Sequence, residues 1–252
     1  MGLFGKKRRR NQFVSDNNEN GKKTLYKNLE FTAIEQYKLI RTNLDFTLPE
    51  DEKCPVIGIT SPMRGEGKST TSVNLSYVLA EKGSRVLLID GDLRITSIAK
   101  KLDIESSTGL SDLLKGRGAQ LSDFQSHLLK NWFILPAGDI PPNPSELLGS
   151  SRMENILNKL RDMFDYIVID LPPVSIVSDA VSISSLISGM IVVIREDYTE
   201  KKELERCFRQ LKLSNVNILG CVMNAAKSGI GSYGKYKKYK YYRSDSKGTK
   251  ND

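Results

Sequence analysis

One stretch constrains this chain more than any other: Val56-Ile57-Gly58-Ile59-Thr60-Ser61-Pro62-Met63-Arg64-Gly65-Glu66-Gly67-Lys68-Ser69-Thr70. An apolar run ends in a glycine-containing turn, Gly-Lys-Ser-Thr follows, and a helical pattern begins at Thr71-Ser72-Val73-Asn74-Leu75. Strand, loop, helix is the context a phosphate-binding loop requires. Glycines let backbone N–H groups converge on phosphate oxygens, and the start of the new helix adds its positive dipole. Gly65, Glu66, Gly67, Lys68, Ser69 and Thr70 are therefore the expected nucleotide-binding residues. Lys68 would neutralise the outer phosphates of ATP, and the Ser69 hydroxyl would ligate Mg²⁺. The strict pattern G-x-x-x-x-G-K-[ST] fails at its first glycine, where Pro62 stands.

Beyond this loop the sequence alternates between buried-strand and helix patterns. Strands are expected at Val56–Thr60, Arg85–Asp90, Trp132–Leu135, Asp165–Asp170, Met190–Ile194 and Ile218–Met223, with helices between them. Continuous apolar runs such as Val86-Leu87-Leu88-Ile89 suit parallel strands covered on both faces. The expected fold is α/β, a P-loop NTPase-like, mostly parallel sheet flanked by helices, with its ligand at the carboxyl ends of the strands. Before the first strand, Phe31–Phe46 reads as a helix with an imperfect apolar stripe through Ile34, Tyr37, Leu39/Ile40, Leu44 and Phe46. Val174–Ile194 is apolar and about long enough to span a bilayer, but it holds Asp179 and six serines, so a helix followed by a buried strand is the expectation.

The 252 residues divide by charge. Residues 1–27 carry eight Lys/Arg against two acids, and 228–252 carry seven against two, so the 200 residues between them are net negative although the chain is +8. Three segments follow: a disordered basic N-terminus (1–27), a folded P-loop domain (28–227) and a flexible tail (228–252). Basicity confined to the ends argues against a folded nucleic-acid-binding face, and no specific nucleic-acid partner is expected. The three scattered cysteines, Cys54, Cys207 and Cys221, suggest neither a disulfide framework nor a metal site, so a reducing cytoplasm is expected. No signal-peptide pattern follows the basic Lys6–Arg10 cluster.

Two further acidic points end apolar strands: Asp90-Gly91-Asp92-Leu93-Arg94 and Asp170-Leu171-Pro172-Pro173. In a parallel sheet these ends lie beside the P-loop, so Asp90, Asp92 and Asp170 should gather around the phosphates and Mg²⁺. A carboxylate there either holds the metal or its waters, or takes a proton from the attacking hydroxyl. Asn224, after the last strand, is placed to contact the base. Half of the ten tyrosines lie in the last 20 residues, Tyr233, Tyr236, Tyr239, Tyr241 and Tyr242, with lysines among them. Such a tail would suit either stacking on single strands or service as a phosphate acceptor, and the nucleotide site favours the acceptor.

The deviant P-loop, the apolar–Asp90-x-Asp92-x-Arg94 run, the apolar–Asp170-x-Pro172-Pro173 run, the Pro141–Leu148 stretch and the tyrosine-rich end together resemble the bacterial tyrosine kinases, from about Ala33 onward. The related partitioning ATPases of the MinD and ParA kind share the loop. They usually carry an extra lysine early in it, at the position of Met63 here. The resemblance implies an ATP- and Mg²⁺-dependent protein-tyrosine autokinase acting in capsule or exopolysaccharide synthesis and export. It implies catalytic roles for Lys68, Asp90, Asp92 and Arg94, metal contacts from Ser69, Asp90 and Asp170, and autophosphorylation of the five terminal tyrosines. It also implies ring assembly through a helical E-x-x-R-x-x-R motif, here Glu35, Lys38 and Arg41, with Lys in place of the forked middle Arg. Its expected partners are a membrane-bound activator of the polysaccharide co-polymerase type, protein substrates and a cognate phosphatase. Its expected place is the cytoplasm, at the inner face of the membrane through that activator. A partitioning-type switch ATPase is the alternative.

Overall fold

The computed structural model describes residues 25, 28–104, 108–118 and 120–226. The basic cluster Lys6–Arg10 and the five terminal tyrosines, and with them the expectation of disordered ends, lie outside the described residues.

Six parallel strands form one sheet in the order β3-β2-β4-β1-β5-β6. They are β1 (Val56–Thr60), β2 (Val86–Asp90), β3 (Trp132–Leu135), β4 (Tyr166–Asp170), β5 (Gly189–Arg195) and β6 (Ile218–Asn224). The alternation of side chains across a strand divides the core in two. Val56, Leu87, Ile89, Ile167, Ile169 and Val192 face one layer. Ile57, Ile59, Val86, Leu88, Val168, Ile191 and Val193 face the other. Both faces are covered, so the central strands are apolar throughout. Each fully buried aliphatic side chain contributes about 1.5–3 kcal/mol.

The second layer is closed by α1 (Phe31–Thr47) and α2 (Lys68–Glu81). Helix α2 is buried from Thr71 to Ala80, which its small polar residues permit only because they find partners. Ser76 accepts from Trp132 Nε1 at 3.1 Å, and Ser72 donates to Asp170 at 3.1 Å. Helix α1 lies over α2, and Arg41 donates to the Val78 carbonyl at 3.0 Å. Near the strand ends α3 (Ile98–Leu102) adds Ile98 to the second layer, and the first layer is closed by α4 (Leu110–Leu114), α5 (Pro144–Leu148), α6 (Ser151–Arg161), α7 (Asp179–Ser182) and α8 (Lys201–Leu213).

Two expectations need correction. In α1 the apolar stripe is not one face: Tyr37, Ile40 and Leu44 pack inward, whereas Leu39 is 52% and Phe46 82% exposed. At 100° per residue Leu39 and Phe46 fall on the side opposite Leu44, with Phe31 and Glu35. The helix expected within Val174–Ile194 before the strand is the short α7 and a separate 3₁₀ turn at Ser184–Leu186, after which β5 begins. No helix among the described residues is long and apolar enough to cross a membrane.

Candidate active site

The loop between β1 and α2 owes its shape to two glycines in the left-handed region, Gly65 (φ 82°) and Gly67 (φ 97°). A Cβ on Gly67 would stand 2.0 Å from Asn224 Nδ2, so any side chain there must displace Asn224 as well as adopt a strained φ. The backbone N–H groups of such a turn form a concave anion cradle, and α2 starts immediately behind it.

Strand register brings the acids to the cradle. Asp90 and Asp170 are direct partners across β2 and β4, and Ile59 of β1 pairs with Asp170. Lys68 Nζ lies 3.0 Å from Asp92 Oδ2, 3.7 Å from Asp170 Oδ2 and 3.4 Å from Ser69 Oγ. Burial pulls the Lys68 ammonium down, but the charges of Asp170 and Asp92 outweigh it and leave its pKa above the ordinary value. Asp170 is fully buried, and burial drives its pKa up against the opposing charge of Lys68. Burial, then the charge of Asp170, pushes Asp90 up to about 7, although the Ile98 and Ser97 amides hold it down in part. Those contacts are specific. Asp90 Oδ2 accepts from both amides at 3.1 Å, and Oδ1 accepts from Asp92 N at 3.3 Å. Asp90 thus caps α3 while standing next to Asp170. Asp92 gives its other oxygen to Ile95 N at 3.0 Å.

The donors fit a magnesium ion. Mg²⁺ keeps several waters and takes one or two carboxylates plus phosphate oxygens, not an all-protein cage. No cluster of three or more His, Cys, Asp or Glu suited to a metal is present among the described residues. Asp170 Oδ2 is buried and accepts no hydrogen bond there, which leaves its lone pairs for an ion or its waters. Ser69 is buried in the first turn of α2, and Asp170 Oδ2 and the Ser69 hydroxyl both face Lys68.

Other expected residues take different partners. Glu66 is fully buried, accepting from Met63 N within the loop at 2.8 Å and from the Thr199 hydroxyl. Asn224 donates to the Glu66 carbonyl at 2.9 Å, so it braces the loop from β6. Thr70 lies half-buried one position beyond Ser69. Arg94 forks Asp179 through Nε at 2.9 Å and Nη2 at 3.0 Å, and its Nη2 also reaches Ser145 Oγ at 3.2 Å. Of the helical motif on α1, Glu35 pairs with Lys38 at 2.9 Å on the solvent side, whereas Arg41 turns inward to α2.

Four residues absent from the sequence reading belong to this region. Arg195 donates to Gly65 O at 3.3 Å and stacks on Tyr198, 5.2 Å from the ring centre. Tyr198 OH donates to Arg64 O at 3.0 Å, and Thr199 holds Glu66. Lys101, half-buried on α3, feels the charges of both Asp170 and Lys68, and burial lowers its pKa. None has a local sequence signature, because each acts on residues far away along the chain.

A parallel sheet with a glycine-bent loop at the end of β1, a lysine held by carboxylates from the ends of β2 and β4, and a helix behind the loop defines a P-loop nucleoside-triphosphate-binding protein. Comparisons with known proteins narrow that class. A family profile described as an AAA domain matches residues 54–219. The tyrosine-protein kinase YwqD of Bacillus subtilis is 36% identical over 204 residues, 79% of this chain and 86% of that protein. The tyrosine-protein kinase CpsD of Streptococcus pneumoniae is 35% identical over 213 residues, 82% of this chain and 92% of that protein. Among solved structures, the kinase domain of the Escherichia coli tyrosine kinase ETK superposes with a TM-score of 0.71 at 30% identity, covering 79% of each chain. The cell division ATPase MinD of Pyrococcus furiosus is more distant, with a TM-score of 0.56 at 25% identity. This chain belongs to the bacterial tyrosine-kinase family.

Proposed function

We propose that the protein is an ATP- and Mg²⁺-dependent tyrosine kinase that phosphorylates its own terminal tyrosines, Tyr233, Tyr236, Tyr239, Tyr241 and Tyr242, and thereby regulates capsular or extracellular polysaccharide synthesis and export. The observation that carries this reading is Lys68 held between Asp92 and Asp170 at the mouth of the loop. The amide cradle and Lys68 bind and orient the phosphates, which is most of what phosphoryl transfer asks of a protein. Ser69 and Asp170 would hold Mg²⁺, with Asp90 beside them, and charge on the phosphate oxygens would be neutralised there. A tyrosine Oη attacks the γ-phosphorus, the bond to the β-phosphate oxygen breaks, ADP leaves, and the phenolic proton passes to the Asp90/Asp92 pair.

The domain is residues 28–227, with the basic N-terminus and the tail as appendages. It assembles into a ring through the outer face of α1, where Glu35 and Lys38 pair beside exposed Phe31, Leu39 and Phe46. It works in the cytoplasm at the inner membrane face, held by a membrane-bound activator of the co-polymerase type, acts on further protein tyrosines and is reset by a phosphatase. The test is incubation with Mg-ATP and the activator's cytoplasmic segment, with phosphate mapped by mass spectrometry. Phosphotyrosine in residues 233–242, abolished by Lys68→Met, is the expected result. Release of free phosphate with no phosphotyrosine overturns the reading in favour of a switch ATPase.

A further inference from the structure

Helix α3 brings a second lysine to the strand ends. Its start is fixed by Asp90, whose Oδ2 accepts from the amides of Ser97 and Ile98, and Ile98 is buried in the second layer. Lys101 N donates to Ser97 O at 3.0 Å, so Lys101 stands one helical turn beyond Ser97 on the same face. Helical side chains lean toward the N-terminus of their helix, which carries the Lys101 stem back toward Ser97 and the strand ends. It lies close enough to feel both Asp170 and Lys68. Two polar groups on this face are unanswered. The Ser97 hydroxyl is buried and makes no hydrogen bond, and among the described residues the half-buried Lys101 ammonium has no hydrogen-bond or ion-pair partner. A cation withdrawn from water without a counter-ion is unfavourable, and an anion relieves it.

The surroundings also lack positive charge. Asp90, Asp92 and Asp170 crowd one lysine, and Lys68 already pairs with two of them, at 3.0 Å from Asp92 and 3.7 Å from Asp170. A triphosphate adds further negative charge to these acids. Topology decides which phosphate Lys101 meets. The cradle belongs to the β1 loop, and β2, which leads into α3, stands two strand positions away with β4 between them, about 10 Å at the usual spacing. We propose that Lys101, with the Ser97 hydroxyl beside it, is a further contact for the terminal phosphate of a nucleoside triphosphate, made from the β2 side while the cradle grips from the β1 side. Segment α3 then distinguishes the two nucleotide states: a triphosphate ties it to the loop, and a diphosphate leaves Lys101 without its partner. The inference rests on the nucleotide site of the kinase reading above and is independent of which group accepts the phosphate. The helix end itself is not the contact, since α3 has five residues and its first amides are already held by Asp90.

The test reads binding, not turnover. Mg-ADP and the Mg complex of a non-hydrolysable β,γ-imido analogue of ATP are titrated by calorimetry onto the full chain and onto its Lys101→Gln, Lys101→Arg and Ser97→Ala variants. Lys101→Gln is expected to weaken the analogue about tenfold, the loss of one charge-assisted hydrogen bond, and to leave the ADP affinity within about twofold. Lys101→Arg keeps the charge and is expected to retain most of the preference for the analogue. Ser97→Ala is expected to weaken the analogue about threefold. Equal loss of both nucleotides in Lys101→Gln overturns the proposal, because the lysine then acts on the site as a whole. Unchanged affinity for both also overturns it and makes Lys101 a solvated charge. Removing an unpaired, half-buried cation is expected to leave the melting temperature without nucleotide unchanged or higher. Lys101→Met, which keeps the apolar stem, repeats the comparison where Gln unsettles the fold. A chain that prefers the analogue through Lys101 but forms no phosphotyrosine supports the contact and defeats only the kinase reading. An unsubstituted chain that binds neither nucleotide defeats both.

Discussion

Asp90 and Asp170 show how a buried pair of like charges is held. They sit side by side across β2 and β4, and Lys68, the Ser72 hydroxyl and a set of amides oppose their repulsion. Burial beside Asp170 raises the Asp90 pKa to about 7 in the folded chain, from the ordinary carboxylate value of 3.8. Between those values the folded state binds the extra proton, so stability falls as pH rises from about 4 to about 7. The effect is on the order of a few kcal/mol, shared within the pair. Asp90→Asn removes this loss. Its melting temperature relative to the unsubstituted chain is expected to climb between pH 4.5 and 7.5, measured without nucleotide. A difference that shrinks or stays flat over that range contradicts the assignment. At the loop, Gly67→Ala is expected to destabilise by about 1–3 kcal/mol, because both its positive φ and its 2.0 Å approach to Asn224 must be relieved. Chemical denaturation measures this, and a neutral outcome would mean that Asn224 moves freely.

At the scale of elements, the strands were the most legible part of the chain. All six stand where apolar runs placed them, because in the inner strands burial on both faces leaves no room for polar alternation, while the edge strand β6 is only partly buried. The P-loop, Asp90, Asp92 and Asp170 were legible for a related reason: each sits where such a run stops. Helix α1 was legible in extent but not in facing. Its apolar residues lie on two sides, one packed on α2 and one bare, and spacing alone does not say which is covered. That bare side gives a prediction. Phe46→Glu with Leu39→Glu is expected to shift the protein from oligomer to monomer in light scattering with little change in melting temperature, since neither side chain is part of the core. Oligomers that persist would place the contact elsewhere. The network of Arg94, Asp179 and Ser145 was illegible because its members stand 34 to 85 positions apart.

At the scale of the molecule, charge divides what sequence order joins. The described domain is mildly acidic between two basic ends, and the tyrosines sit on one of those ends. Five phosphates would add roughly −7.5 to −10, which reverses the sign of the tail and turns attraction to an acidic rim into repulsion. A chain cut after Lys227 is expected to keep its nucleotide affinity and melting temperature and to lose most phosphotyrosine. Equal labelling of the cut and full chains would move the acceptor into the domain.

The brace on the phosphate loop carries one more consequence, for the order in which the chain is made. Residues 64–66 are held by Arg195, Tyr198, Thr199 and Asn224, which lie 130 to 158 positions downstream. A ribosome releases the motif early but its supports last. The nascent chain therefore carries its nucleotide motif unbraced until β6 is in place.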